Sequence, residues 1–237
     1  MEQIRISGKN LGELELDNFC ERCFWIKLHC NYKLPFMIFP GIFSSIDSYT
    51  KKITNVHFDK DSKLPEWFVN YGLSGKPVKV PGHSNFKVHH QETDILLTGV
   101  PDEILYDEDD KSYFILDYKT AKFTDTQDKL LPMYKVQLNA YAYIGEQVGF
   151  NPVKGLGLLY YEPQTKVSEG TIDSFLLNDG FSMNFSAHLK PIQLDTSQIP
   201  GLLQKVRAIY DKPNPPAGVQ GCKDCELLDG LVQIATT

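Results

Sequence analysis

The sequence predicts an α/β fold in which one mixed central sheet is flanked by helices, and two patterns carry this prediction. The first pattern is a hairpin. Apolar runs at 104–106 and 113–118 are separated by the acidic tetrad 107–110, which is typical of a turn. The sequence therefore predicts two antiparallel strands in the middle of the chain.

The second pattern is a strand, a helix and another strand in succession. After the run 113–118, helical spacing begins at Asp128 or Pro132 and continues to Gln147, where Gly149 closes it. The apolar run 155–161 follows and is typical of a buried strand. This order favours a parallel crossover, so the sheet would contain parallel as well as antiparallel pairs.

The other elements follow from apolar spacing and from proline and glycine breaks. They are helical segments over 10–28 interrupted near Asp17, a helix over 44–54, a strand over 94–100, strands over 173–177 and 181–189, and a helix over 199–210. A proline-rich linker, 213–216, then leads to the carboxyl-terminal segment.

Composition places the chain among ordinary globular proteins. Its 237 residues include 24 Lys and Arg against 30 Asp and Glu, a net charge of −6, and 42% of residues are hydrophobic. An acidic balance argues against a protein that coats nucleic acid through bulk charge, although a local basic cleft is compatible with it. No run of about 18 apolar residues occurs and the amino terminus has no signal-peptide pattern, so we expect a cytoplasmic protein without membrane contact.

Four of the five cysteines form two pairs of equal spacing near opposite ends of the chain. Cys20 and Cys23 are one pair, Cys222 and Cys225 are the other, and Cys30 is left over. Two such pairs can complete a four-thiolate site for Zn²⁺ or an iron–sulfur cluster. The alternative is that they are small buried residues or a redox pair. A shared site requires the two termini to meet.

Three charged residues lie beside the predicted strands. Asp102 follows the strand over 94–100, before the hairpin, and Asp117 and Lys119 lie two positions apart at the end of the second hairpin strand, so the side chains of these two residues share a face. Two carboxylates and a backbone carbonyl suit Mg²⁺ or Mn²⁺, and the lysine can orient a water. Gln137 and Tyr141 share one face of the following helix. The alternative is a turn aspartate beside an exposed strand pair, which the apolar run into Asp117 disfavours.

This pattern resembles the PD-(D/E)XK nuclease superfamily, and within it the RecB-like exonuclease group. The family pattern is G-h-x-D, a hairpin, (D/E)-h-K and a helical Q-x-x-x-Y, where h is apolar. Gly99, Asp102, Asp117, Lys119, Gln137 and Tyr141 match it in order and spacing. The resemblance covers roughly residues 94–145. The terminal cysteines extend it to the iron–sulfur members, which include the CRISPR-associated RecB-like exonucleases and AddB-type nucleases.

The resemblance implies a restriction-endonuclease-like core and a Mg²⁺- or Mn²⁺-dependent deoxyribonuclease that acts on single-stranded or end-containing DNA. Asp102, Asp117 and the carbonyl of Tyr118 would hold the ion, Lys119 would position the water, and Gln137 with Tyr141 would contact the substrate. A [4Fe-4S] cluster would lie at the cysteines, with Zn²⁺ as the alternative. Partners would come from DNA repair, recombination or CRISPR adaptation.

Two departures from the family are visible. The iron–sulfur relatives usually carry one amino-terminal and three carboxyl-terminal cysteines, whereas this chain has two and two. Many relatives also carry a histidine on the helix before the catalytic strands, and the stretch 46–51 has none. His57, His83, His89 and His90 lie elsewhere, and no single one is assigned as a ligand.

We therefore expect a single domain over 1–237, with a catalytic core at about 83–162. The amino-terminal helical segment 1–60 and the carboxyl-terminal segment 212–237 would form the cysteine cluster. The alternative function is a catalytically inactive nucleic-acid-binding or scaffold domain, which the missing helical histidine favours. A restriction-type endonuclease is disfavoured because no separate recognition domain is visible.

Overall fold

The computed structural model describes residues 2–32, 40–61, 63–124, 128–166, 168 and 170–236. The strands in these residues are β1 (Ile4–Ser7), β2 (Lys76–Val78), β3 (Lys87–His90), β4 (Ile95–Thr98), β5 (Glu103–Asp107), β6 (Ser112–Lys119), β7 (Val153–Pro163), β8 (Leu176–Leu177), β9 (Gly180–Phe181) and β10 (Phe185–Ile192). The α-helices are α1 (Gly8–Gly12), α2 (Glu21–His29), α3 (Gly41–Asp61), α4 (Glu66–Val69), α5 (Leu131–Gln147), α6 (Gln198–Tyr210) and α7 (Lys223–Ala235).

A mixed five-stranded sheet forms the centre of the fold, which confirms the predicted α/β class. Its strand order is β10-β7-β6-β5-β2. β5 and β6 are the predicted antiparallel hairpin, and β6 pairs with β7 in parallel after the crossover through α5. The prediction of mixed pairing in this sheet is confirmed.

The strand predicted over 94–100 belongs to a second, three-stranded sheet. β4 pairs in parallel with β1 and antiparallel with β3, in the order β1-β4-β3. The central sheet is mixed as predicted, and the strand predicted over 94–100 lies outside it, in this second sheet. β1 has only four residues, which is too short for its alternating burial to be recognised before its partner is known.

The strands predicted after β7 are also corrected in detail. Most of 173–177 is a 3₁₀ turn over Ile172–Phe175, where Ser174 Oγ donates to the carbonyl of Thr171 at 2.7 Å. Such a side-chain bond to nearby backbone competes with strand pairing. Over 181–189, β9 ends at Phe181 and β10 begins only at Phe185.

Helices cover both faces of the central sheet. α5 begins with a proline in its first turn, as predicted, and buries ten of its residues. It packs with α1 and α6 in the larger hydrophobic core. α3 is longer than the predicted 44–54 and lies over the other face, where the Thr54 hydroxyl contacts the Tyr161 hydroxyl at 2.6 Å.

Two glycines of α1 allow it to lie directly against α5. A Cβ on Gly12 would lie 2.3 Å from the carbonyl oxygen of Met133, and a Cβ on Gly8 would lie 3.0 Å from the Cβ of Ala140. The Met133 oxygen belongs to the backbone and the Ala140 Cβ is attached directly to it, so neither atom can yield without moving a helix. The small residues therefore determine how close α5 lies to the amino-terminal segment.

Gly12→Ala tests this close packing. We expect the variant to lose about 1–3 kcal/mol of free energy of unfolding, because the methyl group has no space beside Met133. Gly201→Ala in α6 is the matched control, since a Cβ there meets nothing within 4 Å. The control should be neutral or gain about 0.5–1 kcal/mol from helix propensity. Urea unfolding midpoints measure both, and equal midpoints would contradict the packing argument.

Candidate active site and cysteine centre

The β5–β6 hairpin brings two carboxylates together at the end of the central strands. Asp102 stands immediately before β5, and its Oδ2 accepts a hydrogen bond from the backbone N–H of Tyr118 at 2.5 Å. Asp117 is on β6 and is 4% exposed. Burial and the nearby charge of Asp117 raise the pKa of Asp102 to about 6. The hairpin thus holds negative charge where water is largely excluded.

A single glutamine of α5 connects the two charged residues of β6. Gln137 Oε1 accepts from Lys119 Nζ at 3.1 Å, and its Nε2 donates to Asp117 Oδ1 at 3.2 Å. The same Nε2 lies 2.7 Å from the hydroxyl of Tyr141. Lys119 Nζ is also 2.5 Å from Asp117 Oδ2. Four residues predicted from the sequence therefore form one buried polar network.

Gly99 leaves room for the ring of Tyr141. A Cβ at this position would lie 2.3 Å from the tyrosine ring, which is too close for any side chain. Burial and the charge of Asp117 raise the pKa of Tyr141 well above its usual value, so its hydroxyl stays protonated. Position 99 of the sequence motif therefore requires glycine, because α5 and its Tyr141 ring lie too close for a side chain.

The carboxylates fit a divalent cation. Asp117 Oδ2 is paired with the ammonium of Lys119 at 2.5 Å, but burial and the repulsion between the two carboxylates still raise the pKa of Asp102. Two neighbouring carboxylates in an enclosed place are costly unless cations compensate both charges. Oxygen donors of this kind are those that Mg²⁺ and Mn²⁺ prefer.

Comparison with known proteins agrees with this geometry. A family model described as the PD-(D/E)XK nuclease superfamily matches residues 55–229 of the 237-residue chain. The chain belongs to the PD-(D/E)XK nuclease superfamily. No curated protein matches the sequence. None of the described helices has the length and apolar character needed to cross a bilayer.

In this superfamily member, a lysine of α3 contacts the first carboxylate. Lys51 Nζ lies 2.8 Å from Asp102 Oδ1 and 2.8 Å from Asp47 Oδ2. Burial opposes the charge on Lys51, but Asp102 and Asp47 outweigh it and raise the pKa of the lysine. The sequence analysis missed this residue. Its signal was the Asp47–Lys51 spacing of four on a helix, in the stretch searched only for histidine.

Two histidines that precede Asp102 in sequence have partners away from the carboxylates. His89 Nε2 is 2.8 Å from Asp94 Oδ1, and His90 Nδ1 is 2.8 Å from Thr93 Oγ1. Both histidines lie on β3 of the smaller sheet. Their geometry gives each a structural partner and favours neither as a ligand at Asp102.

The four paired cysteines meet, as predicted from their spacing. Their sulfur atoms all lie within 4.8 Å of one another. Cys20 and Cys222 are the N-cap residues of α2 and α7, so both pairs sit at helix amino termini. Burial opposes ionisation of Cys20, but hydrogen bonds with the backbone of Val219 and Cys23 lower its pKa to about 7. Cys30 is exposed and lies outside the group.

Further contacts join the two ends of the chain around the cysteines. Arg22 of α2 donates to both carboxylate oxygens of Asp229 of α7, at 3.0 and 2.5 Å. The ring of His29 stacks between those of Trp25 and Tyr210, with centroid distances of 3.8 and 4.3 Å. The cysteine group therefore lies inside a wider clasp between the terminal segments.

Cys222→Ser tests whether the four sulfurs share one metal centre. We expect loss of bound metal and a lower melting temperature, because the centre joins segments 199 positions apart and removes loop-closure entropy from the unfolded chain. Cys30→Ser is the matched control and should change neither quantity. Metal retained at full stoichiometry in Cys222→Ser would contradict a shared site.

Proposed function

We propose that this protein is a metal-dependent deoxyribonuclease of the RecB-like group that acts on single-stranded or end-containing DNA. The observation that carries the proposal is the buried network of Asp117, Lys119 and Gln137 beside Asp102. Membership of the superfamily supports metal-dependent phosphodiester hydrolysis as the reaction class. Partners in DNA repair, recombination or CRISPR adaptation, and a cytoplasmic location, belong to the same proposal.

The residues divide the work of hydrolysis between them. Asp102, Asp117 and the carbonyl of Tyr118 would hold Mg²⁺ or Mn²⁺. The ion supplies polarisation of a phosphoryl oxygen and a water of lowered pKa. Lys119 would orient the attacking water toward the phosphorus, and its charge would help to stabilise the negative charge that develops on the phosphoryl oxygens. Asp117 keeps the lysine ammonium in place through their 2.5 Å contact.

Burial favours a positioning role for Gln137 and Tyr141 over the substrate contact predicted from the sequence. Both residues are 5% exposed, and the oxygen and the nitrogen of the Gln137 side-chain amide are already engaged by protein partners. A glutamine held in this way has no free donor to offer to DNA. It would instead fix the distance between the lysine and the carboxylate.

A cavity between α3 and the central sheet offers aromatic rings to a single-stranded substrate. It has a volume of about 300 Å³ and starts at Tyr49 and Thr50, which directly precede Lys51 on α3. Its walls include the aromatic rings of Trp67 and Phe185. Tyr49 is 52% exposed, and an accessible ring of this kind stacks on unpaired bases without sequence preference, whereas bases inside a duplex are not available for stacking.

One observation favours the alternative, a nucleic-acid-binding domain without catalysis. Lys51 occupies Asp102 Oδ1, an oxygen that a metal ion would need. Lys51 either competes with the metal ion for Asp102 or only holds the carboxylate in position. Removing the positive charge of Lys51 distinguishes these two roles.

Asp117→Asn and Lys119→Ala test the proposed function directly. Each variant should abolish Mn²⁺-dependent cleavage of a fluorescent single-stranded oligonucleotide and keep a cooperative thermal transition, because each removes a group that acts on the ion or the water. Lys122→Ala, an exposed lysine on the same segment, is the control and should cleave normally. Full activity in either site variant would refute the assignment.

Gln137→Ala tests the positioning role. We expect kcat to fall by about one to three orders of magnitude with KM unchanged, since the transition-state contact of Lys119 is lost but substrate binding is not. The variant should also lose about 1–3 kcal/mol of unfolding free energy because buried polar partners are left unpaired. Gln147→Ala, exposed on the same helix, is the control. A higher KM with normal kcat would instead assign Gln137 to substrate contact.

Lys51→Gln tests the competition between lysine and metal. Removing a positive charge 2.8 Å from Asp102 should tighten Mn²⁺ binding, by about tenfold at the high effective dielectric of a partly exposed site. Calorimetry measures the affinity, and Lys52→Gln on the exposed side of α3 is the charge-matched control. If neither the natural chain nor Lys51→Gln binds Mn²⁺, the non-catalytic alternative holds.

A further inference from the structure

The spacing of the four cysteine sulfurs identifies how many metal ions they can hold. Three sulfur pairs are in direct contact: Cys20 with Cys225 at 3.5 Å, Cys23 with Cys222 at 3.6 Å, and Cys23 with Cys225 at 3.3 Å. All four sulfurs lie within 4.8 Å of one another. The group is thus close to a small tetrahedron with sulfur at each corner.

A single tetrahedral ion requires this size of site. With metal–sulfur bonds of about 2.3 Å, tetrahedral angles place the sulfurs about 3.8 Å apart. In a [4Fe-4S] cluster each thiolate binds a different iron of the cube, which holds the cysteine sulfurs roughly 6 Å apart. A [2Fe-2S] cluster also needs a wide separation between the two thiolate pairs. The upper limit of 4.8 Å fits one ion and does not fit either cluster.

We infer that the cysteine centre holds one structural Zn²⁺ ion in place of the iron–sulfur cluster that the family resemblance implies. Four thiolates complete a closed site without an open position for substrate, which is typical of structural zinc. Zinc binds such ligands more tightly than ferrous iron does. The arrangement of two pairs instead of one and three agrees with this assignment, because each Cys-x-x-Cys pair grips the same ion.

The backbone around the sulfurs supports a compact anionic centre. Each pair spans the first turn of a helix, with Cys20 and Cys222 at the N-caps of α2 and α7. The positive ends of two helix dipoles therefore face the thiolates and stabilise their charge. A Cβ at Gly218 would lie 3.0 Å from the sulfur of Cys225, so the backbone of this segment packs directly against that cysteine.

Metal analysis of the full-length chain tests the inference. Protein purified without oxygen from cells given equal iron and zinc should be colourless and contain one zinc and no stoichiometric iron. X-ray absorption at the zinc edge should give four sulfur neighbours at about 2.3 Å. Brown protein with acid-labile sulfide and several irons per chain would overturn the inference, as would a single iron or a metal-free chain.

A second measurement assigns the zinc to the cysteines without relying on a stable variant. Titration of the natural protein with an organomercurial in the presence of a zinc-sensitive dye should release one zinc as the four clustered thiols react. Where the proteins fold, Cys225→Ser should lack the ion and Cys30→Ser should retain it. Zinc that stays bound after all thiols have reacted would place it elsewhere and overturn the inference. Mn²⁺-dependent cleavage is measured separately, so failure here leaves the proposed nuclease function intact.

Discussion

The arrangement of the polar residues depends on how closely α5 lies against the strands and the amino-terminal segment. Gly99 accepts the ring of Tyr141, and Gly8 and Gly12 allow α1 to rest on the backbone of the same helix. With larger residues at these positions the helix would move outward. A displacement of about 1 Å is enough to break a hydrogen bond such as that of Gln137 with Lys119. Three residues without side chains thus maintain a polar network.

Burial of the charged groups in that network costs free energy, and the hydrogen bonds and ion pairs between them offset only part of this cost. The Asp117–Lys119 pair satisfies charge, and Gln137 supplies one hydrogen bond to each partner. Asp102 receives the N–H of Tyr118 and the ammonium of Lys51, yet burial and its carboxylate neighbour still raise its pKa to about 6. Residual negative charge in an enclosed place is what a divalent cation would neutralise. The same feature that weakens the metal-free fold thereby prepares it for an ion.

The sequence predicts the parts of the fold and site that rest on local order. The hairpin and the crossover helix are predicted from patterns that lie close together in the sequence, and the structure contains both. Asp117 and Lys119 lie on β6, the strand on which their spacing placed them. The role of Lys51 was not predicted because its partner, Asp102, is far away in sequence. The sequence around Lys51 does not indicate which face of α3 meets the strands. β1 escaped for a similar reason, since its parallel partner β4 lies some ninety positions away. The cysteines are an exception, because their chemistry requires them to meet whatever the intervening fold.

The cysteine centre and the active site share a continuous path of packed elements. α2, which carries Cys20 and Cys23, packs on α6 and α7, while α1 and α6 both pack on α5. A Cβ on Gly8 would lie 3.2 Å from the carbonyl of Gln137 and 3.5 Å from the ring of Tyr141, so α1 touches α5 at the polar network itself. Without an ion on the thiolates, α2 would be joined to α7 by the Arg22–Asp229 pair and by packing. An ion bound by the cysteines would therefore help to keep Gln137 within reach of Lys119, although it takes no part in the chemistry.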